Sequence, residues 1–270
     1  MVKGLIFLMV VFLVLRVWGL SIAMFTKRIE DQIKKHALKE YPNECCGLIV
    51  KTDKGYKYIK CENTAEDKVN NFAINPEVLL DQDVKCIIHS HCDVEEPEPS
   101  GNDIQSQIDC SILFGIVAVR PNKTVSEILY FPVDDIELVG RDFRNGPSGT
   151  DNKGDCYAII KDFYKQELNT DLPEFPRYNE WWKHGDNLYL DGFTTAGFKD
   201  ISEQIKSGKE ILKGDVGLMS INSAVPNHAV VMLDNQLMLH HLANRLSRTE
   251  PIGRWSKYIS HWLRLRGDEE

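Results

Sequence analysis

The chain has 270 residues, 43% of them hydrophobic and 27% charged, with a formal net charge of −8. That length allows one large or two smaller hydrophobic cores, and an acidic chain without a densely basic stretch excludes the usual electrostatics of a nucleic-acid binder. Its seven cysteines are odd in number and form no CxxC, which leaves no zinc-ribbon or thioredoxin pattern, and they read as mostly reduced thiols of a protein that works in the cytoplasm.

The first 23 residues, MVKGLIFLMVVFLVLRVWGLSIA, place Lys3 before an apolar run from Leu5 to Leu15, which Arg16 separates from a second run. One run is too short to cross a bilayer, so no stable membrane span is expected. Two readings fit: a signal peptide with Ser21 and Ala23 placed for cleavage, or a start assigned too far upstream, with Met24 opening the natural chain. Residues 27–40 carry Ile29, Ile33, Ala37 and Leu38 at helical spacing. CCGLIV and YKYIK flank the turn signal KTDKG and read as a hairpin. Asn75 before Pro76 signals a short helix over 75–83. The apolar run VKCIIHSH at 84–91 reads as a buried strand, Ser100 caps a helix within 100–115, and strands follow near 115–120 and 126–131. These elements make an α/β domain over 24–140. Residues 141–154 carry four glycines or prolines and little apolar content, and read as a linker or an ordered surface loop. The second domain, 155–270, opens on a helix over 155–168 with Asp155 as its N-cap. It continues through an irregular stretch and a helix within 196–211 to the alternating segments DVGLMSI, HAVVML and LMLHHL. That order is of the α+β type.

Two groups of residues carry chemistry. In IIHSHCDVEEPEPSGND, His89 and His91 stand two apart on a strand and so point to one side. Asp103, one turn into the next helix, supplies a third ligand of the kind catalytic zinc uses, with a fourth position left for water. Glu44, at the entry to an earlier strand, is placed to take a proton from that water, and Ser100 to donate to a developing oxyanion. A bare HxH also suits two ordinary strand histidines, and Ser100 a plain helix cap. The full set of Glu, HxH, and Ser and Asp three apart resembles the JAMM/MPN metalloprotease family. The resemblance implies an α/β JAMM/MPN-like fold, Zn2+ held by His89, His91 and Asp103, Glu44 as base and Ser100 at the transition state. Cys92 stands where that family usually has proline, and eight rather than seven residues separate His91 from Ser100.

In the second group, Cys156 begins an apolar helix, where the N-terminus favours a thiolate. His228 leads a strand, as the base of a thiolate–imidazole pair, and LHHL offers His240 or His241 as a third, orienting group. A two-residue turn at Asp234-Asn235 puts His241 opposite His228; a three-residue turn puts His240 on the face of His228. GDCYAIIKDFYKQELNTDLPEFPR, GDVGLMSI, PNHAVVML and LHHLANRLS together resemble the NlpC/P60 family in its phage-tail branch. This resemblance implies a papain-like α+β domain in which Cys156 attacks a peptide carbonyl of peptidoglycan stem peptides. It also implies a third polar residue twelve positions after the histidine, which selects His240.

Both domains in one chain, together with YPNECCGLIV, CENTAEDKVNNFAINPE and LVGRDF, resemble the tail-assembly proteins of lambda-like phages. The expectation that follows is a tail-tip assembly protein with peptidoglycan endopeptidase activity and a zinc isopeptidase-like N-terminal domain. Its partners are then stem peptides and other phage tail-tip proteins, with no nucleic acid. It works in the host cytoplasm during assembly and then at the virion tail tip or in the infected-cell periplasm. The alternatives are a structural tail-tip component with inactive sites and, if residues 1–23 are a true signal peptide, a secreted bacterial wall hydrolase.

Overall fold

The computed structural model describes residues 25–80, 82–133 and 136–266; the apolar leader at 1–23 and Met24 lie outside the described residues. Helix α1, Lys27–Glu40, turns Ile29, Ile33 and Ala37 inward at four-residue spacing. Strands β1, Cys46–Thr52, and β2, Gly55–Cys61, form the expected hairpin. The helix anticipated over 75–83 is a single 3₁₀ turn, Pro76–Leu79: Asn75 accepts from Glu77 N at 3.0 Å, but Leu80 is already extended. Strand β3, Val84–Cys92, leads through α2, Gly101–Cys110, to β4, Leu113–Val119, and β5, Leu129–Phe131. Helix α2 ends short of the anticipated limit because Ser111 takes a left-handed φ of 52°, which releases the chain into β4.

The sheet order is β2-β1-β3-β4-β5, with β3 and β4 parallel across the α2 crossover and the other pairs antiparallel. Each face has its own core. On one, Ile29, Ile33 and Ala37 of α1 meet Ile49, Ile88 and Val117; on the other, Ile104 of α2 meets Ile87, Phe114, Ile116 and Phe131. Side chains alternate along β3, so His89 and His91 share the α2 face with Ile87. They sit at the C-terminal end of a parallel strand, where α/β sheets open their crevices.

Segment 141–154 is a packed joint and not a free linker. Its short strands β6, Asp142–Phe143, and β7, Lys153–Gly154, pair in parallel. Arg141, 0% exposed, donates to Asp162 at 2.6 Å and to Ser148 at 3.0 Å, and Arg144 donates to Asp151 at 2.9 Å. Backbone bonds tie the segment both ways: Thr150 N to Tyr130 O at 3.0 Å, and Ser247 N to Arg141 O at 2.9 Å.

Beyond it come α3, Cys156–Leu168, α4, Leu188–Thr195, β8, Phe198–Asp200, and α5, Ser202–Lys206. Strands β9, Val216–Met219, β10, His228–Met232, β11, Leu237–His240, β12, Arg248–Pro251, and β13, Ile259–Leu265, complete an antiparallel sheet of order β12-β11-β10-β9-β13-β8. Helix α3 covers this sheet, packing Ile159, Ile160 and Phe163 against Val216, Leu218, Ala229, Val231 and Leu239. The helix expected within 196–211 is not formed as one element. Gly197, at φ +94°, ends α4, and residues 198–200 pair with β13 instead, which leaves only the five-residue α5.

Candidate functional site

Two cavities hold the two groups of residues. In the first, β1 and β3 pair with Cys46 opposite His89, and Cys45 O accepts from Ser90 N at 3.1 Å. That register brings Glu44, just ahead of β1, level with His91. The Nε2 atoms of His89 and His91 lie 3.1 Å apart, and Asp103 approaches them at 3.0 and 3.3 Å. His89 is fully buried, its ring stacked on Phe72 at 4.3 Å. The capping box of α2 fixes Asp103: Ser100 Oγ donates to its carboxylate at 2.6 Å, Ser100 N donates at 2.7 Å, and Asp103 N donates back to Ser100 Oγ at 3.1 Å. Burial opposes ionisation of Asp103, but the two imidazoles hold it well below the usual carboxylate range. Glu44 responds the other way: burial, with Asp103 nearby, pushes it up to about 7 against the pull of His91. Glu44, His91, Cys92, Ser100 and Asp103 line a cavity of about 440 Å³. Cys92 Sγ turns to Asn43 O at 3.6 Å, and burial raises the thiol to about 11.

The three donors of His89, His91 and Asp103 lie within 4.8 Å of one another. Two imidazoles and one carboxylate, converging beside an open cavity, fit a zinc ion with a position left for substrate or water.

The second cavity, about 490 Å³, is lined by Cys156, Tyr189, His228, Trp181, Asn227 and, from the N-terminal half, Glu98. Asp155 caps α3 by accepting from Ala158 N at 2.8 Å and is held by Arg177, which sets Cys156 at the first helical position. The thiol is 2% exposed and lies 2.9 Å from the Tyr189 hydroxyl. The helix start does not deliver the expected low pKa. Burial, reinforced by the Asp155 carboxylate, pushes the thiol up to about 12, outweighing the hydrogen bond from Tyr189.

The β10–β11 turn has three residues, Asp234–Gln236, with Val230 opposite His240. His240 therefore shares the face of His228, and His228 Nε2 lies 3.2 Å from His240 Nδ1. His241 projects from the opposite face, against Phe143 at 5.3 Å, and lines the cavity of Cys156 itself. Burial takes His228 down to about 3, with His240 and His241 adding to the shift. His240 Nε2 lies 2.7 Å from Glu250 Oε1, and Arg248 donates to the same carboxylate oxygen at 3.0 Å. Burial opposes the charge on Glu250, yet its hydrogen-bond donors keep it at about 2. Glu250, charged at neutral pH, sets the tautomers. His240 donates from Nε2, so its Nδ1 accepts from His228 Nε2–H, and His228 Nδ1 carries the free lone pair.

Tyr189 and Glu250 escape the sequence reading. Tyr189 sits on α4, within a stretch of no clear period, and Glu250 on the short polar strand β12. Only the pairing of β11 with β12 places that glutamate beside His240.

Residues 26–128 match the family model for prokaryotic homologs of the JAB domain, and residues 140–264 match the NlpC/P60 family. Tail tip assembly protein K of Escherichia phage N15 is 27% identical over 249 residues, covering 88% of this chain and 96% of that protein. Tail tip assembly protein K of Escherichia phage lambda is 32% identical over 127 residues, covering 47% of this chain and 55% of that protein. This chain thus joins a Prok-JAB domain of the JAB/MPN kind to an NlpC/P60 domain and is a homologue of tail tip assembly protein K.

Proposed function

We propose that this protein acts at a phage tail tip and hydrolyses peptide bonds in peptidoglycan stem peptides through Cys156, His228 and His240. The observation that carries the reading is the ordered line from Glu250 through His240 to His228, whose last member lines the cavity that holds Cys156. The Cys156 proton passes to His228 Nδ1 as sulfur attacks the scissile carbonyl carbon. The amine leaves with that proton, and water then hydrolyses the thioester, with His228 again as base. His240 orients His228 and Glu250 orients His240. The thiol and imidazole are both neutral at rest, so the proton transfer belongs to the substrate-bound state, in which the peptide shuts out water and its carbonyl draws the sulfur. Tyr189, beside Sγ, is placed to donate to the thiolate as it forms.

The N-terminal domain is proposed as a zinc isopeptidase-type module acting on a tail protein or a cross-link. His89, His91 and Asp103 would hold the metal, which when bound polarises a carbonyl and acidifies water. Glu44, near pKa 7, accepts and returns a proton. Ser100 lines the cavity and would donate to a substrate oxygen by turning its one hydroxyl proton away from Asp103. The work is expected during assembly in the host cytoplasm, and later at the virion tip or in the periplasm, alongside other tail-tip proteins. No helix among the described residues is long and apolar enough to cross a membrane.

Purified sacculi test the reading. The protein should release soluble muropeptides, and Cys156→Ala should release none. Equal release by the variant, or none by a folded parent, contradicts it.

A further inference from the structure

The cysteine cavity has a cationic neighbour. Ile221 belongs both to its wall and to that of a second cavity, of about 640 Å³, and the chain passes from Asn244 in the first wall to Arg245 in the second. This neighbour is lined by Arg245, Arg254 and Lys257, with the rings of Trp255 and Tyr258 and no Asp or Glu. Three cations gather there in a chain whose net charge is −8. In the cysteine cavity, by contrast, the arginines are consumed internally: Arg177 pairs with Asp155 and Glu174, and Arg144 with Asp151. In the neighbouring groove Arg254 pairs with Glu250 and also lies over the Trp255 ring at 5.5 Å. Lys257 lies over Tyr258 at 4.9 Å. Arg245 and Lys257 are exposed and enter no ion pair among the described residues.

We propose that this groove is a substrate subsite for the carboxylate-bearing part of a peptide whose scissile carbonyl lies over Cys156. The inference rests on the peptidase reading and specifies its substrate: an anionic peptide. Guanidinium groups match carboxylates in a two-point geometry, and an ammonium adds a point charge. The two aromatic faces offer apolar contact to the chain between the charges. Such contacts hold substrate and transition state alike, so they act on KM more than on kcat.

Sedimentation of Cys156→Ala protein with purified sacculi tests this directly, using native sacculi and a batch whose carboxyl groups have been amidated. Arg245→Glu with Lys257→Glu should weaken binding to native sacculi roughly tenfold, and Arg245→Ala with Lys257→Ala several-fold. Amidated sacculi should bind the parent about as weakly as native sacculi bind the double reversal. Lys57→Glu, an exposed reversal on β2 of the other domain, should leave binding within about twofold. In the cutting enzyme the double reversal should raise KM and keep kcat. The thermal midpoint should be unchanged in each variant. Unchanged binding after the double reversal, indifference to amidation, or an equal loss in Lys57→Glu overturns the proposal. The two readings separate cleanly. Charge-dependent binding without any cutting by the parent keeps the groove and sinks the peptidase; cutting with an unaltered KM in the double reversal does the opposite.

Discussion

Cys156 and His228 are each useless as drawn at rest, one a buried neutral thiol near pKa 12 and the other a buried neutral imidazole near 3. Alkylation of Cys156 by iodoacetamide should therefore climb about tenfold per pH unit between pH 6 and 9; a plateau below pH 7 would show a resting ion pair instead. Glu250→Gln removes the charge that fixes the His240 tautomer while keeping the shape. It should lower kcat about 10- to 100-fold with little change in KM or thermal midpoint, as befits a positioning residue. At this scale the sequence was only partly legible. The HxH pair and the Ser-x-x-Asp step are visible because strand and helix periods are local. The choice between His240 and His241 hinged on one residue of turn length, and Asn235, at φ 59° within the three-residue turn, decides it. Glu250 and Tyr189 are brought in by tertiary contacts that no local pattern announces.

Element by element, chain order and the two sheets follow from periodicity, and the departures have physical causes. A strong local signal gave only a 3₁₀ turn at Pro76–Leu79, where one cap and one proline lack a following apolar stripe. The helical look of 196–211 lost to pairing between β8 and β13, a contact across some sixty residues of chain. Helix α2 ties stability to the first site, because its capping box orients Asp103. Ser100→Ala should cost about 1 kcal/mol in chemical denaturation and loosen metal retention as well. His89→Ala should abolish metal. Elemental analysis of the purified protein should find about one zinc per chain, lost in that variant; a folded, metal-free parent would contradict the assignment.

For the whole molecule, the joint at 141–154 matters more than its composition implies. Gly and Pro content read as a linker, yet Arg141 and Arg144 bury their charges there, and backbone bonds from Thr150 to Tyr130 and from Ser247 to Arg141 tie the segment to both halves. Arg141→Met leaves Asp162 buried without its cation and should cost about 3–5 kcal/mol by denaturation. Acid should act on the same half of the protein. His228 and His241 titrate at about 3 and 4 when folded against 6.5 when exposed, so the unfolded chain binds more protons as pH falls from 6.5. Stability is then full above that pH and is lost progressively down to about pH 3, by a few kcal/mol at pH 5, readable as a falling thermal midpoint. The central claim, that a tail-tip protein of this kind hydrolyses peptide bonds through Cys156, is tested most directly by digesting sacculi in ¹⁸O-labelled water and weighing the released fragments. The account predicts new amine and carboxyl termini, one ¹⁸O on each new carboxyl, and neither product with Cys156→Ala. Unlabelled fragments, or the same labelled fragments from the variant, would contradict it.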